Sequence, residues 1–329
     1  MNPTLRRFLP AAIAAMVCSS LWLTQPSAAA TYPDRPIRVV IPYGPGGNTD
    51  ITARIIAEDI SKSLNTPVVV ENRPGSGVTL GTEIVAKAPA DGYTLLITTL
   101  AHSINQTLYK KLPYDSQKDF LPIALVAKVP LVLTVDPRLP IQNQQDLINL
   151  LHKNPDKHSF ASSGIGSPTH VAGESFKIET KTSAVHAPYK GEMPGLNDVI
   201  GGHVTFAFGT AAATTRLAQA GSLRALSIAS AQRSALLPDV PTTDEAGLKG
   251  FQAYTWTALL APAGTPGDIV KAVNQAVNKA LTNPEIKKRL TQLGAETDDM
   301  LTPEATRAFM DAETSKWGAI VTASGATVD

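Results

Sequence analysis

The chain has 329 residues, a formal net charge of +1 and a single cysteine, Cys18. A charge so close to neutral gives no electrostatic basis for nucleic-acid binding. Because Cys18 lies in the N-terminal segment described next, the rest of the chain has no thiol for a disulfide, a zinc–thiolate site or a cysteine nucleophile.

The N-terminus has the pattern of a secretory signal peptide. Two arginines precede a largely apolar stretch from Phe8 to Leu23, which is shorter than the roughly 20 residues that a membrane span needs. Small residues then favour cleavage after Ala30, with Ala29 as the alternative site. We therefore expect a signal peptide over residues 1–30 and a soluble mature protein in the periplasm.

The first part of the mature chain alternates short apolar runs with helical patterns. This alternation favours an α/β fold with a parallel-rich sheet and helices on both faces. A stripe of apolar residues along 49–64 is typical of a helix that packs on one side. Strands are predicted at Ile37–Ile41, Pro67–Glu71, Tyr93–Thr98, Pro122–Val126 and Leu131–Val135, the last two separated by Lys128-Val129-Pro130, and helices at Thr49–Leu64 and Thr79–Ala88.

A second round of the same alternation follows. Thr302 is predicted to cap the final helix, with Pro303 at its first position. Strands are predicted at His158–Ala161, Val185–Ala187, Val204–Phe208, Leu223–Ile228 and Tyr254–Ala261, and helices at Asp146–Lys153, Val171–Glu179, Pro266–Thr282, Asn283–Leu293 and Thr302–Val321.

Two glycine-rich loops each join a predicted strand to a predicted helix. The first is YGPGGNTD at Tyr43–Asp50 and the second is SSGIGSPTH at Ser162–His170. The first loop matches neither a P-loop, which ends in Lys and Ser/Thr, nor the GxGxxG dinucleotide fingerprint. Helix-start amides are unpaired donors that favour anions, and ligands of open α/β folds bind where strands end. Each loop is a candidate carboxylate site, and the alternative is a tight turn without a ligand.

The order of the elements predicts two lobes. The first would hold residues 31–127 plus 255–329, and the second residues 128–254. The chain would cross between them near Ala127–Leu131 and Ala253–Thr257, an arrangement that suits a hinge. Trp256 lies at the second crossover and is expected to report the motion, although a rigid core position is the alternative.

Seven stretches in chain order carry a resemblance to one family. They read YPDRPIRVVIPYGPGGNTDITARIIA, VVVENRPGSGVTLG, KAPADGYTLLITT, GIGSPTHVAGE, APYKGEMPGLNDVIGGHV, LPDVPTTDEAGLKG and WTALLAPAGTP. Together they resemble the Bug family, the substrate-binding proteins of tripartite tricarboxylate transporters. The resemblance implies a two-lobed periplasmic-binding-protein fold of the second type, each lobe a mixed sheet flanked by helices. It also implies a small organic acid held in the cleft between the lobes and delivered to a permease with two integral subunits.

The chain departs from the family pattern at two places. The strand predicted at Val204–Phe208 commonly ends in an acid in this family, whereas Gly209 and Thr210 follow it here. The family usually has His-Leu after the second glycine loop, whereas this chain has His170-Val171. Because ligands vary widely in the family, these departures leave the identity of the acid open.

The candidate ligand contacts come from the two loops and from the ends of neighbouring strands. In the first loop, Gly46 and Gly47 are expected to supply amides and Thr49 a hydroxyl, while Asp50 is expected to cap the helix. Hydroxyls of the second loop would hold the other end of the ligand, unless the turn satisfies itself. The full set is Tyr43, Gly46, Gly47, Asn48, Thr49, Thr98, Thr99, Ser162, Ser163, Gly166, Ser167, Thr169, Tyr189, Gly209 and Thr210.

Other polar residues are interpreted as structural. Arg73 could pair with a ligand carboxylate, but Glu71 or Asp91 could hold it instead. His170 and Glu174 are four apart on a predicted helix, yet the sequence offers no further ligands for a metal site. We expect no metal and no cofactor.

The leading hypothesis is therefore a binding protein for an organic anion, not an enzyme, that closes around its ligand like a trap. We expect a monomer whose partners are the ligand and the permease subunits, with no nucleic acid. One alternative is a periplasmic hydrolase or lyase that uses His102 or His170. Another is an adaptor that signals to a membrane kinase when liganded. The sequence does not indicate whether one or two carboxylates are held.

Overall fold

The structure is a computed structural model that describes residues 32–75, 78–297 and 302–328. The predicted signal peptide at 1–30 lies outside the described residues. All the strands and helices below belong to one unit that begins at Arg35.

In the described ranges, nine strands hydrogen-bond in the order β2-β1-β3-β9-β4-β7-β5-β6, with β8 also paired to β4. Pairing is parallel among β1, β2 and β3 and among β5, β6 and β7, while β4 and β9 run antiparallel to their neighbours. The strands are β1 Ile37–Ile41, β2 Val68–Asn72, β3 Thr94–Thr99, β4 Phe120–Val135, β5 Ser159–Ser162, β6 Val185–Pro188, β7 Phe206–Thr210, β8 Arg224–Ile228 and β9 Tyr254–Pro262.

Helices follow most of the strands, as expected for an α/β fold with mixed sheets. The helices in the described part of the chain are α1 Asn48–Leu64, α2 Thr79–Ala86, α3 Ala101–Leu108, α4 Gln144–Lys153, α5 Pro168–Thr180, α6 Glu192–Ile200, α7 Ala211–Gln219, α8 Gly267–Thr282, α9 Pro284–Gln292 and α10 Pro303–Ser324. The predicted cap of α10 is confirmed, because the Thr302 hydroxyl accepts a hydrogen bond from the Ala305 amide at 3.2 Å.

The two strands predicted on either side of Lys128-Val129-Pro130 form one strand of 16 residues, β4, so that prediction was wrong. Its first part pairs with β9 as far as Pro130, and its last part, from Leu131, pairs with β7 and β8. Proline removes only its own N–H from the ladder. The next amide, that of Leu131, donates to the Ala253 carbonyl at 3.0 Å. The first predicted crossover therefore lies inside a continuous strand.

Three short helices escaped the sequence analysis. The first, α3, follows β3 directly, and α7 is rich in alanine and threonine with few large apolar residues. The third, α6, carries Pro194 in its first turn, where proline is tolerated although it reads as a helix breaker. All three helices begin at the cavity described in the next section.

Trp256 lies in the core rather than at an exposed pivot. Its side chain has no solvent exposure, and its indole N–H donates to Glu313 Oε2 at 3.1 Å. The Trp317 indole donates to the same oxygen at 2.9 Å. The rigid-core alternative thus describes Trp256 better than the expected hinge reporter, and the two indoles are not independent probes.

Candidate functional site

A cavity of about 410 Å³ opens where the loops after β1, β3 and β5 meet the starts of α6 and α7. Ligand pockets in proteins have volumes of roughly 300–1,000 Å³. Nine of the predicted contact residues line it: Tyr43, Asn48, Thr49, Thr99, Ser163, Gly166, Ser167, Thr169 and Thr210. The structure therefore brings the two glycine-rich loops to one cavity.

The other six predicted contacts do not line this cavity. Thr98 is fully buried in β3, and Gly209 pairs with Val132 inside the sheet. The Tyr189 hydroxyl donates to Asp198 at 2.5 Å, and the Ser162 hydroxyl is bonded to His186 at 2.6 Å. The remaining two residues are the glycines of the first loop, Gly46 and Gly47.

The first loop leaves the start of α1 uncapped at the cavity wall. Gly47 is the N-cap residue and has no side chain that could accept from the helix amides. Among the described residues, the amides of Asn48 and Thr49 have no acceptor, and both residues line the cavity. The positive end of the helix dipole adds to the attraction of these N–H groups for an anion.

Asp50 has a structural role, but it is not the helix cap that the sequence predicted. It lies in the first turn of α1, is 3% exposed, and accepts the Gly46 amide at 2.9 Å. The expectation that Gly46 would offer its amide to a ligand was therefore wrong. Burial alone would raise the pKa of Asp50, but hydrogen bonds from Arg54, Gly46 and Asn72 outweigh it and hold the pKa below its ordinary value. These partners stabilise the Asp50 carboxylate, and its hydrogen bond with Gly46 closes the loop.

The second loop uses most of its amides internally. Ser167 caps α5 by accepting the His170 amide at 3.2 Å, and the Ser163 amide donates to the Thr169 hydroxyl at 2.8 Å. The Gly166 amide donates to His170 Nδ1 at 3.1 Å. The turn thus largely satisfies itself, and what it presents to the cavity is a cluster of hydroxyls rather than free amides.

The end of β3 contributes a hydroxyl pair to the cavity wall. Tyr43 and Thr99 share a hydrogen bond of 2.5 Å in which either oxygen can donate. Burial raises the pKa of the Tyr43 phenol, so it keeps its proton at neutral pH. The pair can therefore offer a donor to a ligand oxygen after a rotation of one hydroxyl.

The sequence analysis missed an acidic residue in the cavity, Glu192 at the start of α6. Its carboxylate accepts the Thr210 amide and, at 3.1 Å, the Thr210 hydroxyl. Burial raises the pKa of Glu192, although both hydrogen bonds oppose that shift. A side chain at Gly209 would place its Cβ 3.2 Å from Glu192 Oε1. The resemblance implied an acid after β7, but this chain has Gly209 there. That difference was the signal available in the sequence, because the space left at Gly209 accommodates the Glu192 carboxylate.

Further wall residues come from elements far apart in the sequence, which is why sequence reasoning could not assemble them. They are Val78, Ala101, Asn105, Leu108, Tyr109, Val129, Gly164, Ile165, Pro168, Thr255 and Thr257. None of the residues that line this cavity is an arginine or a lysine, so the donors that its wall can offer an anion are backbone amides, side-chain amides and hydroxyls.

The histidines considered for catalysis lie outside the cavity wall. His102 is buried against Tyr114 and Phe120, and its Nε2 is bonded to the Ser116 carbonyl at 2.9 Å. His170 stacks on another imidazole with ring centroids 3.9 Å apart. Neither has the exposed position that a general base needs.

The other polar residues also have structural partners. Arg73 pairs with Glu71, one of its two expected partners. His170 Nε2 lies 4.0 Å from Glu174, whose carboxylate is held by Lys177 at 2.9 Å. In the described ranges no group of three or more His, Cys, Asp or Glu residues could hold a metal ion.

Comparison with known proteins identifies the family. A profile of the tripartite tricarboxylate transporter family receptors matches residues 52–326. Protein BugT of Bordetella pertussis is 36% identical over 317 residues, which cover 96% of this chain and 97% of BugT.

Two solved structures show the same fold. The periplasmic binding protein BugD aligns with a TM-score of 0.75 and 35% identity, over 90% of this chain and 99% of BugD. A Rhodopseudomonas palustris protein solved with adipate aligns with a TM-score of 0.79 and 33% identity, over 90% of this chain and all of that one. The predicted two-lobed periplasmic-binding-protein fold is therefore confirmed, and the hydrolase or lyase alternative is set aside because these relatives are receptors. The chain belongs to the tripartite tricarboxylate transporter family receptors, the Bug family.

Proposed function

We propose that this receptor captures a small organic carboxylate in the cavity between its two glycine-rich loops. The observation that carries the proposal is the uncapped start of α1, where the Asn48 and Thr49 amides face no acceptor among the described residues. One carboxylate oxygen on each amide would complete the first turn of the helix. The adipate bound to the related R. palustris protein supports a ligand of this class.

Capture would involve closure of two lobes, formed by residues 31–127 plus 255–329 and by residues 128–254. The first loop belongs to the first of these and the second loop to the other. Amides of α1 would hold the carboxylate, and the hydroxyls of Ser163, Ser167 and Thr169 would reach it from the opposite side. Ligand favours the closed form only through contacts that the open form lacks, and burial strengthens those hydrogen bonds.

The remaining parts of the proposal concern the cell. The receptor would work as a monomer in the periplasm and deliver its ligand to the two integral subunits of the transporter, an assignment supported by its family. No helix in the described ranges is both long enough and apolar enough to cross a bilayer. An uptake assay distinguishes this transport role from a signalling role with the same ligand. If the receptor serves transport, deletion of its gene should abolish uptake of that acid.

A thermal-shift panel tests the proposed ligand class. The purified protein is mixed with monocarboxylates, dicarboxylates, aromatic acids and the neutral amides of the same acids. At a concentration about 100 times its Kd, a ligand stabilises the folded protein by about 2.7 kcal/mol, which raises the melting temperature by several degrees. Acids should stabilise, their amides should not, and the acid should be recovered unchanged. Equal stabilisation by the amides would contradict a carboxylate site.

A further inference from the structure

A short segment after α9, residues 293–296, contacts the starts of two helices at the cavity. The side-chain amide of Asn48, the first residue of α1, donates to the Leu293 carbonyl at 3.5 Å. The backbone of Gly294 packs directly against the first two residues of α7. None of these four described residues lines the cavity itself. The segment therefore lies beside both helix starts without touching the space that a ligand would occupy.

Main-chain hydrogen bonds hold this segment at both ends. On one side, the amides of Leu293, Gly294 and Ala295 donate to carbonyls in the last turn of α9 at 2.9, 2.9 and 3.1 Å. On the other side, the Lys128 amide donates to the Glu296 carbonyl at 3.0 Å, and the Glu296 amide donates to the Lys128 carbonyl at 2.7 Å. Lys128 lies in β4 beside the point where this strand leaves β9 and begins to pair with β7 and β8. The segment is thus anchored next to the crossover between the proposed lobes and is not free to swing away from α7.

Gly294 has no side chain at the point where this segment meets α7. Its φ of +74° is a left-handed conformation that favours glycine. A Cβ at this position would lie 3.0 Å from the Ala212 main-chain nitrogen and 3.1 Å from the Ala211 Cβ. Carbon atoms pack best at about 3.5–4.0 Å, so a side chain here would displace α7 by at least about 0.4 Å. Neither alanine has a rotatable side chain that could turn aside, and the start of the helix would have to move as a unit.

We infer that Gly294 is a positioning residue, whose missing side chain lets the two lobes close far enough for both to contact the ligand. This inference rests on the proposed function, in which residues 293–296 belong to the first lobe and α7 to the second. The contact lies beside the crossover, because Glu296 pairs with Lys128 of β4. Closure turns the lobes about such a crossover, so a small separation there becomes a larger one at the far side of the cleft. Gly294 therefore limits closure without touching the ligand.

A pair of glycine variants separates the contact with α7 from backbone strain. Gly250 has the same φ of +74°, but a Cβ there would meet nothing within 4 Å. Gly294→Ala and Gly250→Ala therefore impose the same kind of strain, and only the first inserts a methyl group between the lobes. Gly294→Asn is a second test variant, because asparagine adopts the left-handed conformation more readily than alanine does. It carries the same Cβ and replaces Gly294→Ala if that variant does not fold.

Spin labels report the separation of the lobes in these variants. Lys62→Cys on α1 and Asn197→Cys on α6 are at exposed positions, and residues 31–329 contain no other cysteine. Double electron–electron resonance gives the label distance without acid and with the acids of the thermal-shift panel, which include butanoate, adipate and benzoate. With an acid bound, the mean distance should be longer in Gly294→Ala than in the parent. In stopped-flow measurements that acid should dissociate at least about tenfold faster, whereas Gly250→Ala should match the parent in both measurements.

The outcomes separate this inference from the proposed function. If the Gly294 variants, shown to be folded by circular dichroism, keep the parent's label distance and dissociation rate, Gly294 does not limit closure and the inference is wrong while the carboxylate site stands. If Gly250→Ala shows the same changes as Gly294→Ala, backbone strain accounts for them and the inference is equally wrong. If no acid of the panel binds the parent protein, the proposed function is contradicted and the inference falls with it.

Discussion

Replacing Asn48 with proline would remove one free N–H from the cavity wall without breaking α1. Asn48 is the first residue of the helix, where proline is well tolerated because that amide has no helical acceptor. The preceding residue, Gly47, has φ −76° and ψ 165°, which is the extended conformation that a residue before proline prefers. The substitution is therefore compatible with the backbone that the structure shows.

The expected loss follows from the kind of hydrogen bond removed. A hydrogen bond to a charged group contributes about 1.5–3 kcal/mol net, so Asn48→Pro should weaken binding of the carboxylate ligand by about 10- to 150-fold. Asn48→Ala is the matched control. It also loses the side-chain contacts to Leu293 at 3.5 Å and Thr52 at 3.3 Å, but it keeps the N–H.

Isothermal titration of the two variants with the acid found in the thermal-shift panel gives the comparison. The free energies of unfolding without ligand should agree within about 1 kcal/mol, because proline at a compatible position changes stability only modestly. If both folded variants bind the acid equally, the amide at the start of α1 does not hold the ligand and the reasoning is refuted.

Three further predictions concern stability. Glu313→Ala leaves two buried indole N–H groups without an acceptor, and each unsatisfied donor costs about 1–3 kcal/mol. Urea denaturation should therefore show a free energy of unfolding that is lower by about 2–6 kcal/mol. A decrease below about 1 kcal/mol would contradict a shared acceptor. Ser167→Ala removes the cap of α5 and should lower the free energy of unfolding by about 1 kcal/mol in the same assay, and an unchanged value would show that the cap is dispensable. Burial lowers the pKa of His170 to about 3 and that of His102 and His186 to about 4. As the pH falls, the unfolded chain therefore binds more protons than the folded protein does. This contribution to stability is present above about pH 6.5 and should be lost as the pH falls toward 4; a melting temperature that stays constant from pH 7 to 4.5 would refute it.

Elements that depend on local signals could be predicted from the sequence. The strand at Ile37–Ile41 was predicted with its observed bounds, and α1 was predicted to within one residue. Both predictions succeeded because apolar periodicity and a glycine-rich loop are patterns of residues that are close together in the chain. The cap at Thr302 is equally local. The two strand–loop–helix junctions also followed from the sequence, and with them the face of the fold on which to look for a ligand.

Which polar groups remain available to a ligand depends on how the chain folds and could not be predicted from the sequence. The Gly46 amide looked free in the sequence, but the folded loop turns Asp50 back onto it. Tyr43 and Thr99 are 56 residues apart and share a hydrogen bond, and Glu192 meets Thr210 across 18 residues. The continuity of β4 through Pro130 likewise depends on β9, which begins more than a hundred residues later. Periodicity and capping are set by neighbours in the chain, whereas the choice of hydrogen-bond partner depends on distances that exist only after the strands have paired and the core has packed.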